Sequence, residues 1–458
     1  MRVRRPLRVA VAAVAVAGVA AGAGGGGQAA SIAVHPLFVG LPEAQARISP
    51  LATSTCLSAL GIHCYSPGQF EKAYGLDALH AHGIDGRGTT IAIVDSFGSP
   101  TIAGDLHAFD QAFGNPADPG IPADPEILHD PKLTIIQPAG PVPPFSTAAF
   151  GGDMVLWAEE TTLDVEWAHV FAPRANLLLV ETPTDETEGV QGFPEMVAAE
   201  NFVIDHRMAN VISQSFGATE ATFPSAQSIL GLRSAFENAR RHHVTVLAAS
   251  GDEGATNLFA NLSCCYHHRV NSWPSSDPLV TSVGGTQLTL DDAGNRLAPD
   301  RVWNDPFGAG GGGTSAVFAR PGFQARVQRI TGAARGTPDV SLSAAVDGGV
   351  WVYFTFVRPT SPFHIFGGTS AATPEFSGIV SMAAQVKGHG LGQINTTLYH
   401  LRRGDDGLVD VTIGNNSFAG VTGFTAVPGY DLASGQGTLS APAFVMGLAR
   451  AGDDGSGG

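Results

Sequence analysis

Four nearly continuous apolar runs constrain the fold of this chain more than any other feature, because segments of helical length separate them. The runs are TTIAIVDSFG (89–98), NLLLVET (176–182), NVISQSFG (210–217) and HVTVLAASGD (243–252). Apolar, β-branched runs without alternation are typical of parallel strands that are covered on both faces. Helices are predicted at 101–113, 154–171, 189–208, 222–242 and 370–387.

This order of strands and helices predicts an α/β fold: a doubly wound, mostly parallel sheet flanked by helices. Such sheets carry their functional sites at the carboxyl ends of the strands. The segments SQSFG and ASGDEG and the loop before Ser370 are therefore expected at one edge of the sheet. A glycine-rich segment, GAGGGGTSAVF (308–318), is predicted to be a flexible or tightly turning loop that forms part of the pocket wall.

The net charge of the chain bears on its binding partners, and the N-terminal residues bear on its location. The 458 residues include 41 acidic and 25 basic ones, a formal net charge of −16, which argues against nucleic acid as a partner. The first 30 residues combine a basic start, a short apolar run and small residues near QAAS, the pattern of a secretory signal peptide. No other stretch reaches about 18 apolar residues, so we predict a secreted, extracellular protein without membrane association after signal removal.

The four cysteines fit an oxidising compartment and predict two disulfides. Cys56 and Cys64 could close a short loop, whereas adjacent cysteines such as Cys264 and Cys265 more often bond to other partners than to each other. The connectivity stays open at this point. A metal site at these cysteines is less favoured, because the spacing lacks a CxxC pair.

One serine stands out: Ser370 follows two glycines in FGGTSAATPEFSG (366–378) and opens a predicted helix. Free N–H groups and the positive end of the helix dipole would favour a reactive oxygen there. Serine is also a preferred helix cap, so this stretch alone does not distinguish a nucleophile from a cap. Pro374 is expected within the first turn of the helix.

A catalytic serine needs a base, and no histidine occurs in a suitable motif; His169 is better explained as a core residue. Glu160 and Asp164 are four residues apart in WAEETTLDVEWAHVFAP, a spacing that places both carboxylates on one helix face. They could form a solvated acidic face, but their apolar neighbours indicate partial burial, in which case the pair would share a proton. Asp252 follows a strand in ASGDEGA, where it is either a site residue or part of an Asx turn.

Together these motifs resemble the sedolisins, the serine-carboxyl peptidases with a subtilisin-like fold, from about Tyr65 to about Leu439. The resemblance extends to YSPGQFEKAYGL, VISQSFGATE, WPSSDPLVTSVGGT and GGGTSAVFARPGFQ. It implies that Ser370 is the nucleophile, Glu160 its general base and acid, Asp164 the acid that orients Glu160, and Asp252 the oxyanion-hole residue. The implied activity is endopeptidase cleavage through an acyl-enzyme, best below about pH 6 because a carboxylate still accepts a proton there.

The resemblance also implies one structural calcium ion near the C-terminus, in GLVDVTIGNNSF and FTAVPGYDLASGQGTL. Its ligands would be the side chains of Asp410 and Asp431 and the carbonyl oxygens of Val411, Val427 and Gly429, an oxygen set that suits calcium. Val427 stands where the family often has glycine, which matters only if that turn needs positive φ. Protein or peptide substrates and a monomeric state are expected.

The predicted organisation is a signal peptide (1–30), a short N-terminal segment (31–64), a peptidase domain (65–445) and a disordered tail (446–458). Family members usually carry a large folded propeptide, and the short segment 31–64 leaves self-processing open. Two alternatives remain: a subtilisin-type Ser-His-Asp peptidase that uses Asp95, and a catalytically silent secreted binding protein on the same fold.

Overall fold

A computed structural model of the chain describes residues 35–36, 39–41, 45–129, 131–185, 192–259, 261 and 263–450. The predicted signal peptide and residues 451–458 of the predicted tail lie outside the described residues. Residues 446–450, which were also predicted to be disordered, instead belong to the last helix, Ala441–Arg450.

The strands, in chain order, are β1 His35–Pro36, β2 Val39–Gly40, β3 Cys64–Tyr65, β4 Thr90–Ser96, β5 Leu133–Ile136, β6 Asn176–Thr182, β7 Val211–Gln214, β8 Phe216–Thr219, β9 Thr245–Ala249, β10 Ser272–Trp273, β11 Thr281–Gln287, β12 Arg301–Val302, β13 Gly313–Ala319, β14 Ala334–Thr337, β15 Val340–Ser343, β16 Gly349–Tyr353, β17 Phe363–Gly367, β18 Leu408–Val409 and β19 Thr438–Leu439. The helices are α1 Thr53–Leu60, α2 Pro67–Tyr74, α3 Leu76–His80, α4 Ile102–Gly114, α5 Asp153–Phe171, α6 Gly192–Asp205, α7 Ala226–Leu230, α8 Ser234–His242, α9 Gln328–Thr331, α10 Thr369–Lys387, α11 Asn395–Leu398 and α12 Ala441–Arg450.

The central sheet has eight strands in the order β12-β11-β9-β7-β4-β6-β5, with β15 paired to β11. All of its pairs are parallel except β11 with β12. Successive side chains of a strand point to opposite faces, so a strand covered on both faces is apolar throughout. In β4, Ile91 and Ile93 pack beneath α4 and α5, whereas Ala92 and Val94 pack beneath α6 and α8. The predicted fold class is confirmed.

Two long helices, α5 and α10, pack against each other in the core that covers one face of the sheet. Gly378 of α10 permits the close approach, because a Cβ there would lie 2.4 Å from the Cβ of Phe171. Helix α5 is buried on all sides: 15 of its 19 residues are buried, including Glu160, Asp164 and Glu166. The sequence predicted that this helix is at least partly buried, which is confirmed.

The structure corrects several boundaries. The helix predicted at 222–242 is two helices, α7 and α8, and the run at 210–217 is broken at Ser215 into β7 and β8. Strand β7 stays in the central sheet, whereas β8 joins a separate three-stranded sheet with β1 and β10. The glycine-rich segment is not a free loop, since its second half is β13, paired with β14.

The N-terminal segment packs onto the rest of the fold instead of standing apart from it. Strands β2 and β3 complete a four-stranded sheet with β17 and β16, and α1 lies between them in sequence. A disulfide between Cys56 and Cys64 joins α1 to β3, which confirms that predicted loop. Cys264 and Cys265 bond to each other, contrary to expectation, because the first disulfide leaves no other cysteine in the chain.

Within the described part of the chain, no helix is both long enough and apolar enough to cross a membrane.

Candidate active site

The site begins where β17 leads through two glycines into α10. Gly367 lies so close to the neighbouring backbone that a Cβ would come within 2.6 Å of the carbonyl oxygen of Ala344. Gly368 has φ of +104°, a conformation that other residues rarely adopt. The turn places Thr369 and Ser370 as the first two residues of α10, and Ser370 is fully buried.

Ser370 is hydrogen-bonded to Ser215, the residue between β7 and β8. The Ser370 hydroxyl donates to the carbonyl oxygen of Ser215 at 3.0 Å, and Ser215 Oγ donates to the carbonyl oxygen of Ser370 at 3.4 Å. Pro374 makes the second bond possible: it has no N–H, so the Ser370 carbonyl lacks its usual helical partner. Pro374 is the sixth residue of α10, and its predicted place in the first turn is therefore wrong.

The predicted carboxylate pair lies on α5 beside this serine. Asp164 Oδ1 accepts a hydrogen bond from Ser215 Oγ at 2.8 Å, so Ser215 contacts both Asp164 and Ser370. Both carboxylate oxygens of Glu160 are buried and have no hydrogen-bond partner of ordinary geometry among the described residues. Burial raises the pKa of Glu160 well above its ordinary value, the charges of Asp164 and Asp95 raise it further, and the nearby Ser370 hydroxyl opposes the rise. Burial likewise raises the pKa of Asp164, and the hydrogen bond from Ser215 opposes this rise.

Asp95, at the carboxyl end of β4, is a third buried acid near the pair. Burial raises its pKa to about 7, with Thr161 opposing the rise and Glu181 adding to it. Glu181 is its direct partner in the β4–β6 register. The charge of Asp95 raises the pKa of both Glu160 and Asp164, so these acids titrate together.

Asp252 follows β9 and caps α10 instead of forming an Asx turn. Its Oδ1 accepts from the N–H and the hydroxyl of Thr369, both at 2.8 Å, and the Gly251 N–H donates to the Thr369 hydroxyl at 3.1 Å. Its Oδ2 is buried without a hydrogen-bond partner among the described residues. Burial raises the pKa of Asp252 well above its ordinary value, and the charges of Glu253 and Asp305 raise it further. If Oδ2 carries a proton, its O–H group is a buried hydrogen-bond donor without an acceptor among the described residues.

The glycine-rich segment packs directly against the Asp252 loop. A Cβ on Gly311 would lie 2.2 Å from the carbonyl oxygen of Ser250, and its N–H donates to the Gly251 carbonyl at 2.6 Å. A Cβ on Gly308 would meet the Asp252 carbonyl oxygen at 2.9 Å. The glycines therefore allow close contact between two backbones, a role that a flexible loop could not fill.

No histidine takes part in the hydrogen bonds described for Ser370, Asp164 or Asp252. His169 lies on the same helix as the carboxylates, but its ring contacts the Ile127 carbonyl oxygen at 3.1 Å and Asp110 at 3.4 Å. The structure thus connects Ser370 to Asp164 through Ser215, and it connects Asp252 to Thr369, the residue before Ser370. Glu160 is near enough to Ser370 for the serine hydroxyl to lower its pKa. Sequence reasoning missed Ser215, although its stretch SQSFG was expected at this edge, and it weighed Asp95 only for a histidine-dependent enzyme.

No protein-family model matches the chain. Kumamolisin of Bacillus sp. is 32% identical over 288 residues, which are 61% of this chain and 49% of that protein. Tripeptidyl-peptidase 1 of Canis lupus familiaris is 33% identical over 269 residues, 53% of this chain and 44% of that protein. The chain therefore spans about half the length of the curated relatives that it matches.

A solved structure of Pseudomonas sedolisin, a serine-carboxyl proteinase complexed with two molecules of pseudo-iodotyrostatin, matches with a TM-score of 0.68 and 26% identity. The match covers 84% of this chain and 98% of that chain. The chain is similar to the sedolisins in both sequence and fold. Its subtilisin-like fold agrees with the predicted one.

Two loops near the C-terminus of the chain hold the residues that were predicted to bind calcium. The Gly429 N–H donates to Asp410 Oδ2 and the Val427 N–H donates to Asp431 Oδ2, both at 2.9 Å, which brings the two loops together. Asp410 Oδ1 is buried, accepts no hydrogen bond among the described residues and is ion-paired with Arg403 Nε at 3.4 Å. Val427 is not among the described residues with positive φ, so the substitution for glycine causes no strain there.

The described residues contain no group of three or more His, Cys, Asp or Glu side chains that could hold a metal ion, either in these loops or elsewhere. A calcium site would therefore depend on two carboxylates supplemented by backbone carbonyl oxygens, which is a donor set that calcium accepts.

The buried acids make stability depend on pH, and Asp95→Asn tests this. An unfolded aspartic acid ionises near pH 4, whereas Asp95 has a folded pKa of about 7. Its contribution is therefore complete below about pH 4 and is lost as the pH rises through 7. Between these pH values, the free energy of unfolding should fall less steeply with rising pH in the variant than in the parent protein. The difference in slope should be up to ~1.4 kcal/mol per pH unit, measured by denaturant titrations at a series of pH values.

The matched control is Asp405→Asn, whose side chain is 70% exposed. It should keep the slope of the parent protein. An unchanged slope in Asp95→Asn would contradict the proton binding that we attribute to this residue.

Proposed function

We propose that the protein is a secreted serine-carboxyl endopeptidase that cleaves peptide bonds at acidic pH, with Ser370 as nucleophile. The observation that carries this proposal is the position of Ser215, which donates to Asp164 and accepts from Ser370 in a buried site where no histidine hydrogen-bonds these groups among the described residues. A buried carboxylate pair can accept and return a proton in the role that histidine has in other serine peptidases.

The first step requires the Ser370 hydroxyl to turn from the Ser215 carbonyl to Glu160. The Ser370 oxygen then bonds to the scissile carbonyl carbon while its proton moves to Glu160. Glu160 passes this proton to the leaving amine, the C–N bond breaks, and an acyl-enzyme remains. Water attacks the ester carbon while its proton moves to Glu160, and Glu160 then gives that proton to Ser370 Oγ as the ester bond breaks and the carboxylic-acid product leaves. Asp164 shares the proton of the pair in each step.

Asp252 supplies the oxyanion donor in this scheme. Its Oδ1 is held by Thr369, so a proton on the carboxyl group belongs on Oδ2, which has no other partner among the described residues. A neutral acid can donate to the developing oxyanion, whereas an ionised one would repel it. The raised pKa of Asp252 supports this role, and it predicts that activity falls when the pH is high enough to ionise the residue.

Strand β8 is the edge to which we assign the substrate backbone. It starts directly after Ser215, and β1 pairs with it antiparallel through His35–Gly217 and Pro36–Phe216. Helix α5, which carries the carboxylate pair, also contacts β1. A peptide in place of β1 would lie beside Ser370, which supports extended peptide segments as substrates.

The remaining assignments follow from the sequence. The signal at 1–30 supports export to the extracellular space, and the net charge of −16 disfavours nucleic acid as a partner. Calcium would be held by Asp410, Asp431 and the carbonyl oxygens of Val411, Val427 and Gly429, and would join the loops as a structural ion. We propose a monomer without membrane attachment.

Single substitutions test the catalytic assignment. Ser370→Ala should abolish hydrolysis of a peptide library at acidic pH, and Glu160→Gln should lower kcat/KM by at least ~100-fold because the general base is lost. Matched controls lie on the same helices: Ser377→Ala, whose hydroxyl bonds only within α10, and Glu166→Gln, which accepts from the Tyr353 N–H. Both controls should keep most of the activity.

The same measurements separate the alternatives. Activity that is greatest near pH 8, is lost on histidine modification and survives Glu160→Gln would indicate a subtilisin-type mechanism. A parent protein without activity between pH 3 and 8, and with peptide binding equal to that of Ser370→Ala, would indicate a binding protein.

The role of β8 can be tested with the segment that occupies it. A form of the protein that begins at residue 45 should cleave peptides with a lower KM than the full chain, because β8 is then free. The synthetic peptide AVHPLFVGL (33–41) should compete with substrate or be cleaved itself, and a scrambled peptide should do neither. A KM that does not change, together with no effect of the peptide, would contradict the assignment.

Calcium binding predicts a change in thermal stability. Added calcium should raise the unfolding temperature of dialysed protein, because an ion that binds only the folded state stabilises it. Asp410→Asn should remove most of this response, whereas the exposed neighbour Asp405→Asn should keep it. Equal responses of the parent and Asp410→Asn would contradict the site.

A further inference from the structure

A cavity of about 570 Å³ lies away from the candidate active site and is lined by basic side chains. Among the described residues that form its wall, two are arginines, three are histidines and none is acidic: Arg207, Arg241, His242, His243 and His389. The chain as a whole carries a net charge of −16. This concentration of basic groups is therefore unusual for the molecule.

The cavity lies at the amino ends of the parallel strands. Asn210 directly precedes β7 and Val244 directly precedes β9, and both line the wall. Ser215 and Asp252 follow the other ends of the same strands. The two sites are thus on opposite edges of the sheet, so the cavity is separate from the peptidase machinery.

Several donors of the wall are not used within the protein. Asn210 Oδ1 accepts from the Thr90 N–H at 2.9 Å, which leaves its Nδ2 group on the side of Gly390. The Nδ1 atoms of His242 and His389 donate to backbone carbonyl oxygens at 3.1 and 2.8 Å. The Nε2 atom of each ring remains available, as a donor whenever the ring is protonated.

Two residues with a strained backbone conformation also lie at this cavity. Of the four described non-glycine residues with positive φ, two line this cavity: Arg207 at +54° and His243 at +57°. Both follow helices at positions where glycine is the usual residue. A charged side chain in this conformation has a free-energy cost, and such strain is found most often at functional sites.

Favourable interactions with helix dipoles explain only some of the basic residues at this cavity. Helices α6, α8 and α10 end near the cavity, and basic residues are favourable at the carboxyl end of a helix. Asp205, at the end of α6, accepts from Asn238 and is not part of the wall. Compensation of dipoles explains a basic residue at each helix end, but it does not require five basic groups on one concave surface.

We propose that this cavity binds a small phosphate-bearing anion. Two guanidinium groups match the oxygens of a phosphate in geometry and charge, and the imidazole and amide groups supply further donors. The volume exceeds that of a bare ion and suits a phosphomonoester or the headgroup of an anionic phospholipid. The ligand binds independently of Ser370, so this site is distinct from the peptidase function.

Calorimetric titration of the full chain with inorganic phosphate, at constant ionic strength, tests the proposal. The parent protein should bind one phosphate, and the double variant Arg207→Gln/Arg241→Gln should bind at least ~10-fold more weakly because two charge-assisted contacts are lost. Arg240→Gln is the matched control, since Arg240 is exposed on the same helix as Arg241 but does not line the cavity. Its affinity should equal that of the parent.

A second arm identifies the source of the phosphate. Vesicles that contain phosphatidylglycerol should retain the parent and release the double variant if a lipid headgroup is the ligand, and should retain neither if the ligand is soluble. The proposal is overturned if neither phosphate nor vesicles bind, or if Arg240→Gln weakens binding as much as the double variant does. It is also overturned if the double variant unfolds at a lower temperature but binds phosphate like the parent, which would mean that the arginines only stabilise helix ends.

Discussion

The hydrogen bonds of Ser215 connect the two central helices, and the arrangement of the site depends on that connection. Ser215 donates to Asp164 on α5 and accepts from Ser370 on α10, so one residue at a strand end sets the positions of both. Pro374 contributes by leaving the Ser370 carbonyl without a helical partner. Gly378 also lets the two helices approach closely, because a Cβ there would collide with Phe171.

Burial changes the chemistry of the acidic side chains at the candidate active site. Asp95, Glu160, Asp164 and Asp252 are buried without a basic side chain among their described hydrogen bonds, so burial is the largest cause of each raised pKa. A carboxylic acid that stays neutral can donate a proton or a hydrogen bond, which an exposed carboxylate cannot do. The same burial stabilises the fold as the pH falls, because these groups bind protons more tightly in the folded chain than in the unfolded one.

Periodicity predicted the central architecture well. Runs without alternation at 89–98 and 176–182 became β4 and β6, because a strand covered on both faces needs apolar residues at every position. The predictions failed for elements whose boundaries depend on contacts between segments far apart in the chain. The break at Ser215 arises because β8 leaves the central sheet to pair with β1 and β10, and the glycine-rich segment is packed because the Asp252 loop lies against it. Neither partner is near in sequence.

The sequence by itself determined the strand and helix order, the residue types at the site, and the spacing that places Glu160 and Asp164 on one helix face. Local patterns are sufficient for these features because each depends on neighbours within a few residues. Tertiary structure alone decided that Ser215 joins Ser370 to Asp164 and that Asp252 Oδ2 has no hydrogen-bond partner in the part of the chain that the structure describes. It also decided that five basic side chains meet in one cavity. Burial and hydrogen bonding depend on segments far apart in the chain, and only the packed fold brings those segments together.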